Sequence, residues 1–277
     1  MQPLALVTAT GVHPTAKLIA DPPGKYRTFA SVLSKFEALV KAGDAGVDHD
    51  VPDSGVPIFD QLQLGSCVLN STTRAMMVAL FNEQQKIVLL SRLFAYWLCS
   101  KQMGTVGQDT GTNVFQAVER YGSIGVCDES IWPYTDDSAT FFVPPAGAIE
   151  AVLEGSDNRP TAWVKIDETD PQSKLSQLET AILANHTVSF GTPVSAAIQS
   201  YQAGQILTVP DPNAIIGGHS MLFTGRHFIG GKRVWRVANS WSIAFGDAGY
   251  LLIDDAWAAD ADLSDLWVMS RLDSLEF

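Results

Sequence analysis

The chain has 277 residues, 46% of them hydrophobic and 17% charged, and its 18 Lys+Arg against 30 Asp+Glu give a formal net charge of −12. That hydrophobic share excludes a wholly disordered chain and supports a large core, while the acidic balance argues against a nucleic-acid or anionic-membrane surface. Three cysteines, Cys67, Cys99 and Cys127, are too few and too odd in number for a disulfide framework, which points to a reducing compartment.

Residues 1–46 read as an extension, a pro-segment or blocking segment in form. Pro14, Pro22, Pro23, Gly24 and Gly43 punctuate it. One amphipathic helix is expected around Phe29 to Val40, its apolar face formed by Phe29, Val32, Leu33, Phe36, Leu39 and Val40. That helix either packs on the main domain or lies in the site as an inhibitor. Met1 to Val7 has no basic region and no long apolar core, so no signal peptide is read there. No apolar run is long enough to span a bilayer. The expectation is a cytoplasmic protein, or one exported without a signal.

Residues 47–59 form a turn-rich lead-in. Asp60 to Asn70 then holds the most chemically suggestive stretch. Gly65 and Ser66 read as a turn, and Val68, Ala75, Met76, Ala79 and Leu80 recur at helical spacing to about Gln84. Cys67 therefore falls in the first turn of a mostly buried helix, where the positive end of the dipole favours thiolate. Six residues upstream, Gln61 offers a side-chain amide as an oxyanion donor.

A second helix is expected from Ser91 to about Lys101, then a polar loop from Gly104 to Gly111. A third helix runs from about Thr112 to Tyr121 with Gly122 as its stop. Trp132-Pro133-Tyr134 marks an extended turn. Beyond this the character changes. Asp170-Pro171 is a helix start, N-cap then first residue, and the helix carries Leu175, Leu178, Ile182 and Leu183 to Asn185. Thr187 to Phe190, His219 to Phe228, Lys232 to Asn239, Gly249 to Ile253 and Leu266 to Leu272 read as strands. Gly230-Gly231 is a hairpin turn. The architecture expected is α+β: a helical lobe at about 60–155 and a β-rich lobe at about 156–277, with a site between them.

A reactive thiol needs a base. The histidines are His13, His49, His186, His219 and His227. With Gly230-Gly231 as the turn, paired residues sum to roughly 461. His219 then lies opposite Ser242, and Asn239 opposite Leu222, so His219 and Asn239 are neighbours within side-chain reach. An amide oxygen there would hold the imidazole in one tautomer, as a Cys–His couple requires. Gly217-Gly218 leaves room beside His219 for a close backbone or substrate.

These residues resemble the papain family of cysteine peptidases in three blocks. Gln61 to Cys67 is similar to the family's Q-x-x-x-C-G-S-C, Gly218 to Gly225 resembles the histidine block, and Asn239 to Tyr250 resembles N-S-W-G-x-x-W-G-x-x-G-Y. The separations 219 − 67 = 152 and 239 − 67 = 172 sit near or beyond the upper end of the family's spacing. Weaker similarity covers the Ser91 helix, Asp109 to Thr112, and Glu129 to Tyr134. The likeness runs from about Val47 to the C-terminus (47–277) and has the flavour of short bacterial or viral members.

The resemblance implies a two-lobe fold whose β lobe is barrel-like, and a cysteine peptidase acting through a thioester. Cys67 would be the nucleophile, His219 the base and acid, Asn239 its orienter, and Gln61 with the Cys67 N–H the oxyanion hole. Trp241 would shield the Asn239–His219 bond. A low thiol pKa belongs to the same picture. Substrate would contact Gly65, Ser66, Asp109, Thr110, Gly111, Val194, Gly217, Gly218 and Trp241, with an apolar residue next to the cut. The expected partner is a peptide or protein substrate, with no nucleic acid or membrane, and a monomer is the default. No cofactor is implied, and no Cys/His cluster has metal-ligand spacing. The alternatives are a silent binding or structural protein on the same fold, or a transpeptidase or deamidase using the same site. Four positions depart from the family pattern. Leu64 replaces the disulfide cysteine, Val68 the aromatic after the nucleophile, Ser242 the first glycine after N-S-W, and Phe245 the second tryptophan.

Overall fold

A computed structural model describes residues 27–41, 46–137, 139–153, 158–167 and 169–271. The helices are α1 (Phe29–Glu37), α2 (Cys67–Gln84), α3 (Arg92–Met103), α4 (Val114–Ser123), α5 (Ala148–Leu153), α6 (Pro171–Leu183) and α7 (Asp255–Ala259). The strands are β1 (Arg27–Thr28), β2 (His49–Asp50), β3 (Ala162–Lys165), β4 (Val188–Ser195), β5 (Ile206–Leu207), β6 (Ile215–Ile229), β7 (Lys232–Ala238), β8 (Tyr250–Asp254) and β9 (Ser264–Ser270). Helices α2 to α5 come first and most strands later, so the α+β division expected from the sequence is present.

The central helix is α2, and it is buried from Cys67 to Val78 on every side. A helix buried all round must satisfy its polar side chains internally. Ser71 and Thr72 donate back to the Val68 carbonyl (2.9 and 2.7 Å), and Thr73 meets the Tyr121 hydroxyl. Arg74 reaches Asp53 (2.5 Å) and the Tyr250 hydroxyl (2.9 Å). Helix α3 begins at Ser91, whose hydroxyl accepts the Phe94 N–H, and ends at Gly104 with φ 71°. In α4 the stop differs from expectation. Gly122 lies inside the helix, and Gly125, with φ 89°, follows its end. Gly122 is there for packing: a Cβ would come within 2.6 Å of the Trp163 ring. Asp170 caps α6 through the Ser173 N–H (2.7 Å), with Pro171 as its first residue.

One sheet runs β1-β3-β9-β4-β6-β7-β8-β5, with β2 paired to β6. Its middle is antiparallel, and the edge pairs β1–β3 and β5–β8 are parallel. Phe190 and Phe223 stack at 4.2 Å across β4 and β6. Trp235 and Trp267 are fully buried. Helix α1 packs on α6 and on this sheet: Phe29, Val32 and Phe36 are buried, and Phe36 meets the His186 ring edge-on at 5.0 Å. Pro14, Pro22 to Gly24, Gly43 and Leu272 lie outside the described residues.

The β6–β7 hairpin turns at Gly230-Gly231 as expected, and its first five pairs, Ile229↔Lys232 to Gly225↔Arg236, sum to 461. Thr224 is then an extra residue, and the next pairs, Phe223↔Val237 and Leu222↔Ala238, sum to 460. This β-bulge changes the site. Paired residues share a face of the sheet, as do residues two apart on one strand. At a sum of 461, His219 and Asn239 would point to opposite faces. At 460 they share one. The simple register expected from the turn is therefore corrected by one residue. Strand β2 sits beside the bulge: Val51 N–H donates to the Thr224 carbonyl (2.8 Å), and Asp50 pairs with Gly225.

Candidate active site

Two contacts bring the first turns of α2 against β6. The Ser220 backbone, one residue from His219, hydrogen-bonds the Cys67 thiol. One turn further along, Ser71 Oγ meets Ser220 Oγ at 2.7 Å. Cys67 and His219 are thereby held on facing elements, both buried.

His219 Nε2 lies 2.7 Å from Asn239 Oδ1. The same Oδ1 accepts the Ser240 backbone N–H at 2.8 Å. That second bond identifies the atom as oxygen, because a backbone N–H can only donate. Nε2 must then carry the imidazole proton, which leaves the lone pair on Nδ1. Trp241 stacks on His219 (centroids 4.9 Å apart, 29° between planes), and Phe245 stands edge-on to Trp241 at 5.1 Å.

Gln61 is reached from the other side. Residues 59–61 run against 240–242: Gln61 N–H donates to the Ser240 carbonyl (2.8 Å), Ser242 N–H to Phe59 (3.0 Å), and Asp60 bridges Trp241. The Ser240 hydroxyl donates to Gln61 Oε1 at 2.6 Å, which turns the NH2 end of the amide away from it. One of those N–H groups donates to the Leu64 carbonyl (3.1 Å), and the second has no protein acceptor among the described residues. Leu64, where the family has its disulfide cysteine, is buried, as is Val68.

The remaining predicted residues divide by environment. Asp109 is engaged inside the protein: its carboxylate takes the Gly65 N–H through both oxygens (3.0 and 2.9 Å) and the Tyr96 hydroxyl (2.6 Å). It ties the 104–111 loop to the nucleophile turn instead of facing outward. Gly111 N–H donates to the same Tyr96 hydroxyl (2.7 Å), and exposed Thr110 donates its hydroxyl to that of Thr105 (3.2 Å) and its N–H to the Gln108 carbonyl (3.1 Å). Ser66 is fully buried, with its hydroxyl 2.5 Å from that of Tyr134. Val194 pairs with Gly217 and Pro193 with Gly218, so these residues form one wall beside His219.

Burial dominates the titration of both central groups. It pushes the Cys67 thiol up to about 11, and the hydrogen bond from Ser220 only partly offsets this. It pushes His219 down to about 4, against the opposing hydrogen bond to Asn239. The helix-start position alone suggested a thiolate, but loss of solvation outweighs the dipole here. Ser240 and Tyr134 belong to the site though no role was assigned to either. Ser240 directly follows Asn239, and a tyrosine hydroxyl beside a buried turn needs partners. Ser242 has φ 65°, a left-handed conformation that explains why glycine stands there in the family pattern.

Two cavities of about 390 Å³ lie away from these residues. One is on the outside of α3, α4 and α5, and the other is between the end of α2 and the end of β9. Neither contains Cys67, His219, Asn239 or Gln61, so the site stands on its side-chain chemistry. No cluster of three or more metal-ligating side chains occurs among the described residues.

A family model described as papain family cysteine protease matches residues 47–265. Among curated proteins, the uncharacterized peptidase C1-like protein L477 of Acanthamoeba polyphaga mimivirus is 28% identical over 222 residues, covering 77% of this chain and 70% of that protein. Digestive cysteine proteinase 3 of Homarus americanus is 28% identical over 215 residues, covering 75% of this chain but only 60% of the lobster protein. Among solved structures, xylellain, a cysteine protease from Xylella fastidiosa, superposes with a TM-score of 0.71 at 21% identity, covering 96% of this chain and 97% of that one. Digestive procathepsin L 3 of Tenebrio molitor superposes at 0.64 with 20% identity, covering 83% and 72%. At those identities the superpositions speak to fold alone.

Proposed function

The chain belongs to the papain family of cysteine proteases, and from that premise we propose that it hydrolyses peptide bonds through Cys67, His219, Asn239 and Gln61. The observation that carries this reading is the tautomer of His219. With its proton held on Nε2 by Asn239, Nδ1 is the atom free to take a proton from a thiol.

Alone, the buried thiol and the buried imidazole each prefer to be neutral. Moving the thiol proton to Nδ1 creates two opposite charges together, and their attraction offsets the solvation each loses. The thiolate then attacks the carbonyl carbon. The oxyanion that forms takes hydrogen bonds from the Cys67 N–H and the second Gln61 N–H. As the C–N bond breaks, the imidazolium gives its proton to the leaving amine, and a thioester remains on Cys67. Water enters, loses a proton to His219 and attacks the thioester, and the acid leaves as the thiolate is restored. Trp241, flat against the imidazole, keeps water from the His219–Asn239 bond. Gly217, Gly218 and Val194 line the approach of a peptide substrate.

Replacing Cys67 by alanine is expected to abolish both turnover of a fluorogenic peptide and labelling by a thiol-directed epoxide. Cleavage that persists in Cys67→Ala ends the proposal. A folded parent protein whose Cys67 resists the epoxide would instead point to a silent binding protein on this fold.

A further inference from the structure

The two oxyanion donors proposed above come from separate stretches: Gln61 from the 59–66 loop, the Cys67 N–H from the first turn of α2. Two donors on separate stretches act together only while their spacing is fixed. A third element spans them. Arg92, in the first turn of α3, is a buried charge in the run Leu90-Ser91-Arg92-Leu93-Phe94. Its Nη1 donates both to the Asp60 carbonyl (3.2 Å) and to Asn70 Oδ1 (2.9 Å). Asp60 immediately precedes Gln61. Asn70 lies one turn along α2 from Cys67, and its Nδ2 donates to the carbonyl (2.9 Å) and hydroxyl (3.0 Å) of Ser66.

The guanidinium is also held at Nη2 and by two aromatic rings, while its buried Nε has no hydrogen-bond partner among the described residues. Nη2 pairs with Glu129 at 3.2 Å, and the same carboxylate oxygen accepts the Tyr134 N–H at 3.0 Å. The rings of Tyr134 and Phe59 lie 3.7 and 4.2 Å from the guanidinium carbon. Tyr134 in turn donates its hydroxyl to the Gln61 carbonyl at 2.8 Å. A planar cation with donors fixed in its plane can satisfy all these partners at once, and a lysine ammonium, a single point on a flexible stem, cannot.

We propose that Arg92 is a positioning residue that locks the Gln61 loop to the Cys67 turn and so sets the spacing of the two oxyanion donors. It touches neither substrate nor reacting atoms, and its role rests on the Cys67 mechanism above.

The test compares full-length Arg92→Lys and Arg92→Met with the parent in three measurements: hydrolysis of a fluorogenic peptidyl coumarylamide, alkylation of Cys67 by iodoacetamide, and thermal unfolding. Alkylation needs the thiol but no oxyanion; amide hydrolysis needs both. The expected result is a fall in kcat of about 10–100-fold in both variants, with KM and the alkylation rate each within about threefold of the parent. Lysine does not rescue. The proposal is overturned if kcat stays within about threefold of the parent, or if alkylation falls in step with kcat, which marks general disorder of the site. Should neither variant fold, Asn70→Ala carries the comparison: it removes the acceptor through which Arg92 holds the Cys67 turn, and an unchanged kcat there overturns the proposal equally. Cys67→Ala separates the two levels. Cleavage surviving in it ends the mechanism itself, whereas Arg92 variants with full kcat beside an inactive Cys67→Ala end only the role of Arg92.

Discussion

The nucleophile side and the base side of the candidate site are built by opposite means. On the α2 side, Cys67, Asn70 and Ser71 are spaced by the helix itself, and side-chain hydrogen bonds secure the turn before it. On the β6–β7 side, His219 and Asn239 are twenty residues apart, and what aligns them is a ladder interrupted by one extra residue. A helix places side chains by local geometry, so an error in one contact leaves the rest in place. A strand pair places them by count, so a single residue reverses the face.

The largest effect should therefore come from removing the count itself. Deleting Val237 from β7, with Thr224 still bulged, is expected to bring Phe223 opposite Ala238 and Leu222 opposite Asn239, and so to turn His219 and Asn239 to opposite faces. Peptidase activity should fall by at least about a thousandfold, on the scale of losing a catalytic group. Circular dichroism should still report the sheet. Near-parental activity in the deletion would show that the strand count does not set the alignment.

A smaller effect separates the two sides by pH. His186 and His219 both lie in the β-rich half, and burial pushes each down to about 4. His186 is held neutral between the Ala184 carbonyl (2.8 Å) and the Ser270 hydroxyl (3.0 Å). Both folded-state values are below the ordinary 6.5, so between them the unfolded chain binds more protons than the native one. This stabilisation is full above about pH 6.5 and is lost as pH falls towards 4, on the order of 3 kcal/mol for each histidine. Urea titrations of Cys67→Ala at several pH values, which avoid self-digestion, should show that loss. A midpoint that stays flat from pH 6.5 to 4 would contradict it. Hydrogen exchange should show the sheet around Ser270 loosening before α2.

The smallest expected effect is at Ser242. Its left-handed φ of 65° costs a side-chain-bearing residue more than glycine. Ser242→Gly should stabilise the protein by about 0.5–1 kcal/mol, visible as a raised thermal midpoint. A lowered midpoint would mean that the Ser242 hydroxyl, which accepts the Ala244 N–H at 3.2 Å, matters more than the backbone strain.

Much was legible in the sequence alone, wherever the determinant was local. The α2 start at Cys67, the Asp170-Pro171 cap, the Gly230-Gly231 turn and the change from helical to strand periodicity are each written within a few residues, because capping, turn conformation and side-chain period are short-range properties. The residue types of the site were legible too, since Gln61, Cys67, His219 and Asn239 each stand in a recognisable block. What the sequence could not carry was every relation between distant segments. Gly122 looks like a helix stop until Trp163 is packed against it. Nothing in the residues around Asp109 announces that its carboxylate joins the Gly65 N–H and the Tyr96 hydroxyl. The thiol looks acidic until burial removes its solvent. Only the tertiary structure decided that Asn239 faces His219, because a bulge beside β2 depends on what the strand lies against, and no local pattern encodes that.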